Sequence, residues 1–242
     1  MTTLRTVGLG CLFVAGVLVA LVVSIYIFFR SLHRKGRAFH KWGSVCRAEL
    51  TTLDEQLGKR FAGTARVRFS TSTAEENSPD PSIIGMAIKI EDTQDIVVAT
   101  FESFVKVNEA TKNTNISDYM ANQYGSVAPW RVPGLGPIWF RAIPNPASGA
   151  STSGTRTERL EADIAAGRAT FVLEARERPF ADGKVITRLA ELRLLERLPD
   201  DEPKFHISMF HTGRGIKPTG FRNGIRAVVY PVSQLARGLR GA

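Results

Sequence analysis

Residues 67–71 read Val-Arg-Phe-Ser-Thr, and residues 84–90 read Ile-Gly-Met-Ala-Ile-Lys-Ile. Both stretches are rich in β-branched and aromatic residues, and a loop that contains Pro81 separates them. This composition is typical of strands bounded by turn residues. We therefore predict strands over Ala65–Ser72 and Ile83–Ile90.

Further strands and helices extend this pattern along the chain. The other strands are predicted at Val45–Thr51, Asp95–Thr100, Thr170–Glu177, Val185–Leu195 and Phe205–His211. The helices are predicted at Asn115–Tyr124, Arg156–Ala166 and Arg222–Leu239, the last interrupted at Pro231. A helix over Lys184–Leu195 is the alternative for one strand, because apolar residues recur there at every third position. About seven strands with few long helices predict an α+β fold, an antiparallel sheet or barrel with peripheral helices.

The N-terminal part of the chain predicts a membrane helix. Residues Val7 to Phe29 contain no charged side chain, and a helix of that length is about 35 Å long, enough to cross the bilayer core. A signal peptide is the alternative, but its apolar region would be shorter and would end in small residues. Here the run ends in aromatic residues, which are typical of the membrane interface. We therefore expect a tail over 1–6, a transmembrane helix over 7–29 and one domain over 30–242.

Basic residues follow the apolar run more densely than they precede it. Arg5 is the only basic residue before it, whereas five follow at Arg30, Arg34, Lys35, Arg37 and Lys41. The positive-inside bias predicts a single-pass protein with its domain in the cytoplasm. The same cluster predicts contact with anionic membrane lipid.

The charge of the remaining chain is uneven. Residues 30–68 and 204–242 each carry a net charge of +7, whereas the whole chain carries +9. No nucleic-acid recognition motif or series of interleaved aromatic residues accompanies these basic ends, so we expect no nucleic-acid partner. The chain has only two cysteines, which excludes a disulfide-rich scaffold.

Three segments in order resemble the haem catalases, particularly their short relatives. The first begins His40-Lys41-Trp42-Gly43 and continues to residues 47–50. The second comprises the 67–71 stretch, Asp80-Pro81, the 84–90 stretch and Gln94-Asp95-Ile96-Val97. The third is Arg226-Ala227-Val228-Val229-Tyr230-Pro231. The resemblance runs from about His33 to the C-terminus, and it implies an antiparallel β-barrel with helices, a b-type haem (haem b) and Tyr230 as the proximal ligand to iron.

The residues themselves are compatible with that role for Tyr230. A phenol has a pKa near 10, so a tyrosinate ligand needs positive charge nearby. In a helix, Arg226 lies on the same face as Tyr230, four residues earlier, where its guanidinium is placed to bond the phenolate oxygen. The alternative interpretation is that Tyr230 is an edge residue on an amphipathic basic helix.

The resemblance also implies a distal histidine and an arginine beside the haem. In the family, the distal histidine lies upstream of a Gly-Thr-Phe-type strand. If Leu50 is the equivalent of that phenylalanine, counting back without a gap reaches His40, which would accept a proton from a peroxide and return it to the departing oxygen. His33 is the competitor, because His33-Arg34-Lys35-Gly36 resembles the local family motif but needs an insertion. A solvated histidine in a basic stem is the alternative for His40. Arg68 matches the family's arginine near the haem propionates, and a surface arginine is its alternative.

One position departs from the family pattern. The family's distal asparagine follows the strand that begins at Asp95, and by register that position holds Ala99, with Thr100 next. Thr100 is the only nearby hydroxyl left to orient peroxide, so efficient disproportionation of hydrogen peroxide is in doubt. Peroxidase chemistry survives the loss better, because a reducing donor completes the cycle.

We therefore expect a membrane-anchored haem peroxidase-type oxidoreductase that acts on hydrogen peroxide or on organic or lipid hydroperoxides. The short link between the apolar run and His40 suggests a pocket near the bilayer and a membrane-soluble peroxide. Two other functions remain open. One is a protein that binds haem without rapid chemistry, and the other is a haem-free barrel that acts as an interaction subunit for another membrane protein.

Overall fold

The structure is a computed structural model, and it describes residues 2–34, 40, 42–72, 75, 77–101, 106–145, 151–178, 183–199 and 205–239. The strands are β1 (Val45–Thr52), β2 (Gly63–Thr71), β3 (Ile84–Ile90), β4 (Gln94–Ala99), β5 (Tyr124–Gly125), β6 (Trp130–Val132), β7 (Gly136–Pro144), β8 (Thr170–Arg176), β9 (Val185–Leu198) and β10 (Lys217–Pro218). The helices are α1 (Thr2–Arg34), α2 (Val107–Asn113), α3 (Arg156–Ala165) and α4 (Gly220–Gly238).

Eight of the described strands close into an antiparallel barrel. The order around it is β1, β2, β3, β4, β5, β7, β8 and β9, with β9 pairing back to β1. Strand β6 pairs with β7 outside this circle, and β10 pairs with β6. This confirms the predicted α+β fold with an antiparallel barrel and peripheral helices.

Alternation along β2 separates the inside of the barrel from its outer face. Phe69 is fully buried and contacts the rings of Tyr124 and Phe171, which belong to β5 and β8 across the barrel. Its neighbours Arg68 and Ser70 point outward, because successive side chains of a strand face opposite sides. They are nevertheless only 7% and 6% exposed, so another layer must cover this part of the outer face.

Helix α4 covers that part of the barrel, and α1 packs on α4. The two helices run in the same direction and approach closely where Gly16 faces Gly224, since a Cβ on either glycine would clash with the other helix's backbone. Further along, the hydroxyl groups of Ser31 and Ser233 are 2.9 Å apart and hydrogen-bonded. The division into tail, span and domain stays a prediction, but α1 is not separate from the barrel domain.

The apolar character of α1 agrees with the sequence. Over Arg5–His33 its length and its mean hydropathy of 2.8 suffice to cross a membrane. Only 17% of the tested window is buried, which is unlike the core helix of a soluble protein.

Several predicted elements differ from the structure. The helix predicted over Asn115–Tyr124 is wrong: these residues form turns, and the helix lies earlier, at α2. The strand predicted over Phe205–His211 is also wrong, because this segment crosses the barrel surface without a β-ladder. The alternative helix over Lys184–Leu195 is wrong, since β9 pairs with both β1 and β8. The terminal helix is confirmed, but α4 continues through Pro231, whose side chain is exposed.

Candidate functional site

A cavity of about 630 Å³ lies between the outer face of the barrel and α4. The barrel side is lined by residues in register on three strands, with Arg68 beside Ala87 and Val97, and Ser70 beside Gly85 and Ala99. The α4 side is lined by Arg226, Val229, Tyr230, Ser233, Gln234 and Arg237. The cavity therefore has one wall made by a hydrogen-bonded sheet and a second wall made by a helix.

His40 lies in this cavity, on the barrel side. Its Nδ1 is 3.3 Å from the carbonyl oxygen of Ser70 and 3.2 Å from the Ser70 hydroxyl oxygen. A carbonyl oxygen only accepts hydrogen bonds, so a hydrogen bond between the ring and this carbonyl is made by the tautomer that carries its proton on Nδ1, whereas the Ser70 hydroxyl is able to bond either tautomer. The predicted distal histidine is thus oriented by the strand that contains the most distinctive sequence motif.

The backbone around His40 is also constrained. His40 has a φ of 56°, a left-handed conformation that is uncommon for a residue other than glycine. Arg68 donates from Nη2 to the His40 carbonyl oxygen at 3.0 Å and so holds this conformation in place. Gly85 makes room for the ring, since a Cβ there would lie 3.3 Å from His40 Cε1. The competitor His33 lies elsewhere, on the exposed surface of α1.

Tyr230 lines the opposite wall and is half-buried. Its hydroxyl has no hydrogen-bond partner within the part of the chain that the structure describes. Arg226 lines the same cavity, but its Nη1 donates to Asn223 Oδ1 at 3.3 Å rather than to the Tyr230 hydroxyl. The structure therefore brings both residues to the cavity, as predicted, without showing the predicted bond between them.

Arg237 is a residue of this site that the sequence reasoning missed. It follows Tyr230 by seven residues, two helical turns, so both lie on the cavity face of α4. Burial lowers the pKa of Arg237. Its Nη2 is 3.3 Å from His206 Nδ1, while its buried Nε has no hydrogen-bond partner among the described residues. The seven-residue spacing from Tyr230 was the available signal in the sequence.

The charge of the cavity calls for an anionic occupant. Three arginines line it, Arg68, Arg226 and Arg237, and no lining residue that the structure describes is Asp or Glu. A bound carboxylate would form charge-assisted hydrogen bonds with these guanidinium groups. Haem fits these residues, because its two propionates suit the arginines and the free Tyr230 hydroxyl suits its iron.

Thr100 was predicted to orient peroxide through a hydrogen bond, and its position in the structure does not support that role. Thr100 is not among the cavity-lining residues, and its Oγ1 accepts hydrogen bonds from the Ile84 N–H at 3.1 Å and the Thr114 hydroxyl at 2.8 Å. The hydroxyl is therefore committed to joining β3 to the end of α2. Ala99 does line the cavity, so a methyl group lies at the position where the resemblance to the catalases implied an amide.

A buried ion pair holds a further part of the cavity lining in place, namely the segment that starts at Phe205. Lys89 Nζ lies 2.9 Å from Asp95 Oδ1, one row along the barrel from Ala87 and Val97. The other oxygen of Asp95 accepts the Ser208 N–H at 2.6 Å, and His211 Nδ1 is 2.9 Å from it. These bonds hold the segment that starts at Phe205 against the barrel, and Phe205 and Ile207 thereby line the cavity.

Within the described ranges, no cluster of three or more His, Cys, Asp or Glu side chains is arranged to hold a metal ion. Haem iron needs no such cluster, since the porphyrin supplies four ligands and the protein supplies an axial one.

The fold belongs to the catalase-like class of barrels. It is similar to the structure of catalase A from Saccharomyces cerevisiae, with a TM-score of 0.56 and 11% sequence identity, over 82% of this chain. This chain spans about 60% of the length of that catalase. No protein-family model matches the sequence, and no curated protein sequence matches it. At this level of identity the likeness establishes the fold alone.

Proposed function

We propose that the protein is a membrane-anchored, haem b-dependent peroxidase-type oxidoreductase that acts on hydrogen peroxide or on organic or lipid hydroperoxides. The observation that carries the proposal is the pairing of His40 and Tyr230 on opposite walls of one cavity. The three arginines that line the same cavity support the same occupant. The catalase-like fold is compatible with it.

Three kinds of contact would hold haem in the cavity. The Tyr230 phenolate would be the axial ligand to iron, and the nearby guanidinium of Arg226 would favour the deprotonated phenol through its charge. Arg68 and Arg237 would bind the propionates. Haem would supply two-electron redox chemistry at its iron.

His40 would move the proton of the reaction. Its Nε2 lone pair would accept the proton from the peroxide O–H, and the resulting imidazolium would return that proton to the departing oxygen. The Ser70 carbonyl, 3.3 Å from Nδ1, would favour the required tautomer by accepting the Nδ1–H. The left-handed backbone of His40, fixed by Arg68, pre-orients the ring before substrate arrives.

Ala99 favours peroxidase over catalase activity. Disproportionation consumes a second hydrogen peroxide molecule as the reductant, and a methyl group at Ala99 offers no hydrogen bond to orient it. A separate reducing donor avoids that requirement. The apolar side chains of Val97, Phe101 and Val229, which line the cavity, also suit an organic hydroperoxide better than they suit hydrogen peroxide.

We place the protein at a membrane through α1, in contact with membrane lipid. The basic residues that follow the apolar run favour a single crossing with the domain in the cytoplasm. The packing of α1 on α4 favours a different arrangement, in which α1 lies along the membrane surface. In either case the cavity lies close to a source of lipid hydroperoxide.

Absorbance spectroscopy of the purified full-length chain, supplemented with haem, tests the proposal. We expect a Soret band that Tyr230→Phe abolishes or shifts and that Tyr26→Phe, a change on the exposed face of α1, leaves unchanged. Peroxide-dependent oxidation of a dye should be lost in His40→Ala and retained in His33→Ala. Turnover of a fatty-acid hydroperoxide should exceed that of hydrogen peroxide.

Each negative result selects a different conclusion. A Soret band without dye oxidation would leave a haem-binding protein, a function that the loss of the amide at Ala99 also favours. No band after supplementation would leave a barrel with a structural role, such as an interaction subunit for another membrane protein.

A further inference from the structure

Exposed apolar side chains are concentrated on α1 and α4. Of the nineteen large hydrophobic side chains that are exposed among the described residues, eleven lie on α1, two lie on α4 and one directly follows α4. The two on α4 are Phe221 and Leu235, which are 38% and 60% exposed, and Leu239, the residue after the helix, is 66% exposed. Soluble proteins rarely expose apolar surface in one continuous patch, so this surface requires a partner.

The charged side chains of α4 all turn away from that surface. Arg222 donates from Nη1 to the Val127 carbonyl oxygen at 2.8 Å, and Arg226 and Arg237 line the cavity. The outer face of α4 therefore carries no charge, although the helix contains three arginines. A helix that faced water on this side would not need to direct every cation inward.

Helix α1 packs along α4 through most of its own apolar length. Contacts run from the Gly16–Gly224 crossing to the Ser31–Ser233 hydrogen bond, so the apolar run of α1 lies against the barrel domain. The barrel carries exposed ion pairs, such as Arg47 with Glu196. If α1 crossed a bilayer upright in this packing, the barrel beside it would be drawn into hydrocarbon, where such charges are costly.

Basic and aromatic side chains occur together at both ends of the apolar run. The Arg5 guanidinium lies 5.5 Å from the centre of the Trp139 ring, and Arg30 Nη1 donates to the Tyr26 hydroxyl at 2.9 Å. Arginine and aromatic residues with this arrangement are typical of the lipid headgroup region. Both ends of α1 are therefore suited to the headgroup region, and the packing of α1 on the barrel domain decides whether they lie on one side of the membrane.

We infer that α1 and α4 together form a membrane-docking surface that lies along a lipid bilayer, with the outer faces of both helices in lipid. Both ends of α1 are then on the same side of the membrane, and the helix that carries Tyr230 rests on the bilayer. The inference builds on the membrane attachment proposed above and specifies its geometry. The occupant is the lipid itself, with anionic headgroups at the two basic ends.

Two measurements on the full chain test this geometry. Epitope tags before Met1 and after Ala242 should show the same protease accessibility in membrane vesicles from an expressing host. One tag cleaved and the other protected would establish a single crossing and overturn the inference, while leaving the proposed membrane attachment and haem function intact.

The second measurement probes α4 directly. In a Cys11→Ser background, Leu235→Cys is compared with Leu53→Cys, an equally simple change at an exposed leucine outside the helical pair, 51% exposed. Cys46 does not interfere, because burial raises the pKa of its thiol to about 12 and keeps it unreactive.

We expect phosphatidylcholine–phosphatidylglycerol vesicles to suppress labelling of the Leu235→Cys variant by a membrane-impermeant maleimide. Labelling of the Leu53→Cys variant should not change. Equal labelling of both variants on vesicle-bound protein would show that α4 is outside the lipid and would overturn the inference alone. Failure of the chain to bind the vesicles would overturn both the docking surface and the proposed membrane attachment, whereas the haem spectrum is measured independently of either.

Discussion

The two walls of the cavity are built by different physical means. The barrel wall is a ladder in which Arg68, Ala87 and Val97 are fixed in register by backbone hydrogen bonds. The α4 wall has no such ladder across the cavity, and it depends on packing against α1, where Gly16 meets Gly224. The position of His40 is therefore determined by the sheet, whereas the position of Tyr230 depends on how two helices pack. This difference predicts that changes in the two walls will have separable effects.

The largest effect is expected from Phe69→Ala, which removes the side chain behind the barrel wall. Phe69 is fully buried, stacks on Tyr119 at 4.9 Å between ring centres and contacts Phe171 at 6.0 Å. Its loss should reduce the free energy of unfolding by about 3–5 kcal/mol. Guanidinium unfolding of the haem-free protein measures this, and Phe210→Ala, at a side chain 65% exposed, should have almost no effect. Similar small losses for both variants would show that the barrel wall is not the more rigid one.

A smaller and more local effect is expected from Gly224→Ala. The added Cβ would lie 2.0 Å from the Phe13 carbonyl oxygen, so α1 and α4 must move apart, at a cost of about 1–3 kcal/mol. We expect weaker haem binding, because α4 carries Tyr230, with the guanidinium midpoint of the barrel nearly unchanged. Gly238→Ala is the matched control on the same helix, since its Cβ meets nothing within 4 Å. A barrel midpoint that fell as much as haem affinity would mean that the two walls unfold together.

Arg237→Gln should weaken haem binding without destabilising either wall of the cavity. Removing one charge-assisted hydrogen bond to a carboxylate costs about 1.5–3 kcal/mol, or roughly a tenfold to hundredfold loss of haem affinity. Haem transfer to apomyoglobin measures the change. Arg131→Gln, at an exposed arginine of β6, is the control for lost charge alone. Equal affinities for both variants would remove Arg237 from the site.

The smallest effect is expected at Asp54, on the barrel and outside the lining of the cavity. The Leu57 N–H, the Thr187 hydroxyl and the Gln56 N–H donate to its carboxylate and lower its pKa below the ordinary value. A carboxyl with a lowered pKa in the folded state stabilises the protein above its unfolded-state pKa, and the stabilisation is lost as pH falls through the folded-state pKa. Asp54→Asn should therefore lower the melting temperature slightly at neutral pH and not at acid pH, whereas the exposed Glu55→Gln should change it at neither. A difference that grew on acidification would contradict this sign.

Much of the barrel wall was predictable from the sequence. The pattern of residues 65–72 and 83–90 predicted β2 and β3, and it placed Arg68 and Ser70 together on one face. Here local preference and tertiary structure agree, since β-branched residues and the strand period point to the same arrangement. The order of the three family-like segments also placed His40 and Tyr230, which the structure brings to one cavity.

Elements with competing local chemistry were not predictable. Over residues 115–124 a helix was predicted with Asn115 or Ser117 as its cap, but Asn115 Oδ1 accepts the Ser117 N–H and Asp118 Oδ1 accepts the Met120 N–H. Such side-chain bonds offer the backbone an alternative to the helix. Strand β7 was not predicted, and Pro137 and Pro144 lie near its two ends, where proline weakens the sequence pattern of a strand.

The α4 wall was only partly predictable. The helix and Tyr230 followed from the sequence, but the contact of α4 with α1 did not. Glycine contributes no side chain to an apolar pattern, so the Gly16–Gly224 contact leaves no periodic signal. The role proposed for Arg237 was equally hidden, because the sequence does not show that the described lining of the cavity contains no Asp or Glu.

The pairing of α1 with α4 has a consequence for the order of biosynthesis. The entire barrel is translated between these two helices, so α1 leaves the ribosome long before the surface on which it packs exists. Contacts between such distant parts of the chain are the last to form. In the interval, an apolar helix that has not yet packed on α4 is a segment to which the factors that guide nascent chains to membranes bind. If the proposed function holds, the final cavity wall would be assembled after targeting has begun, and haem would be captured after both.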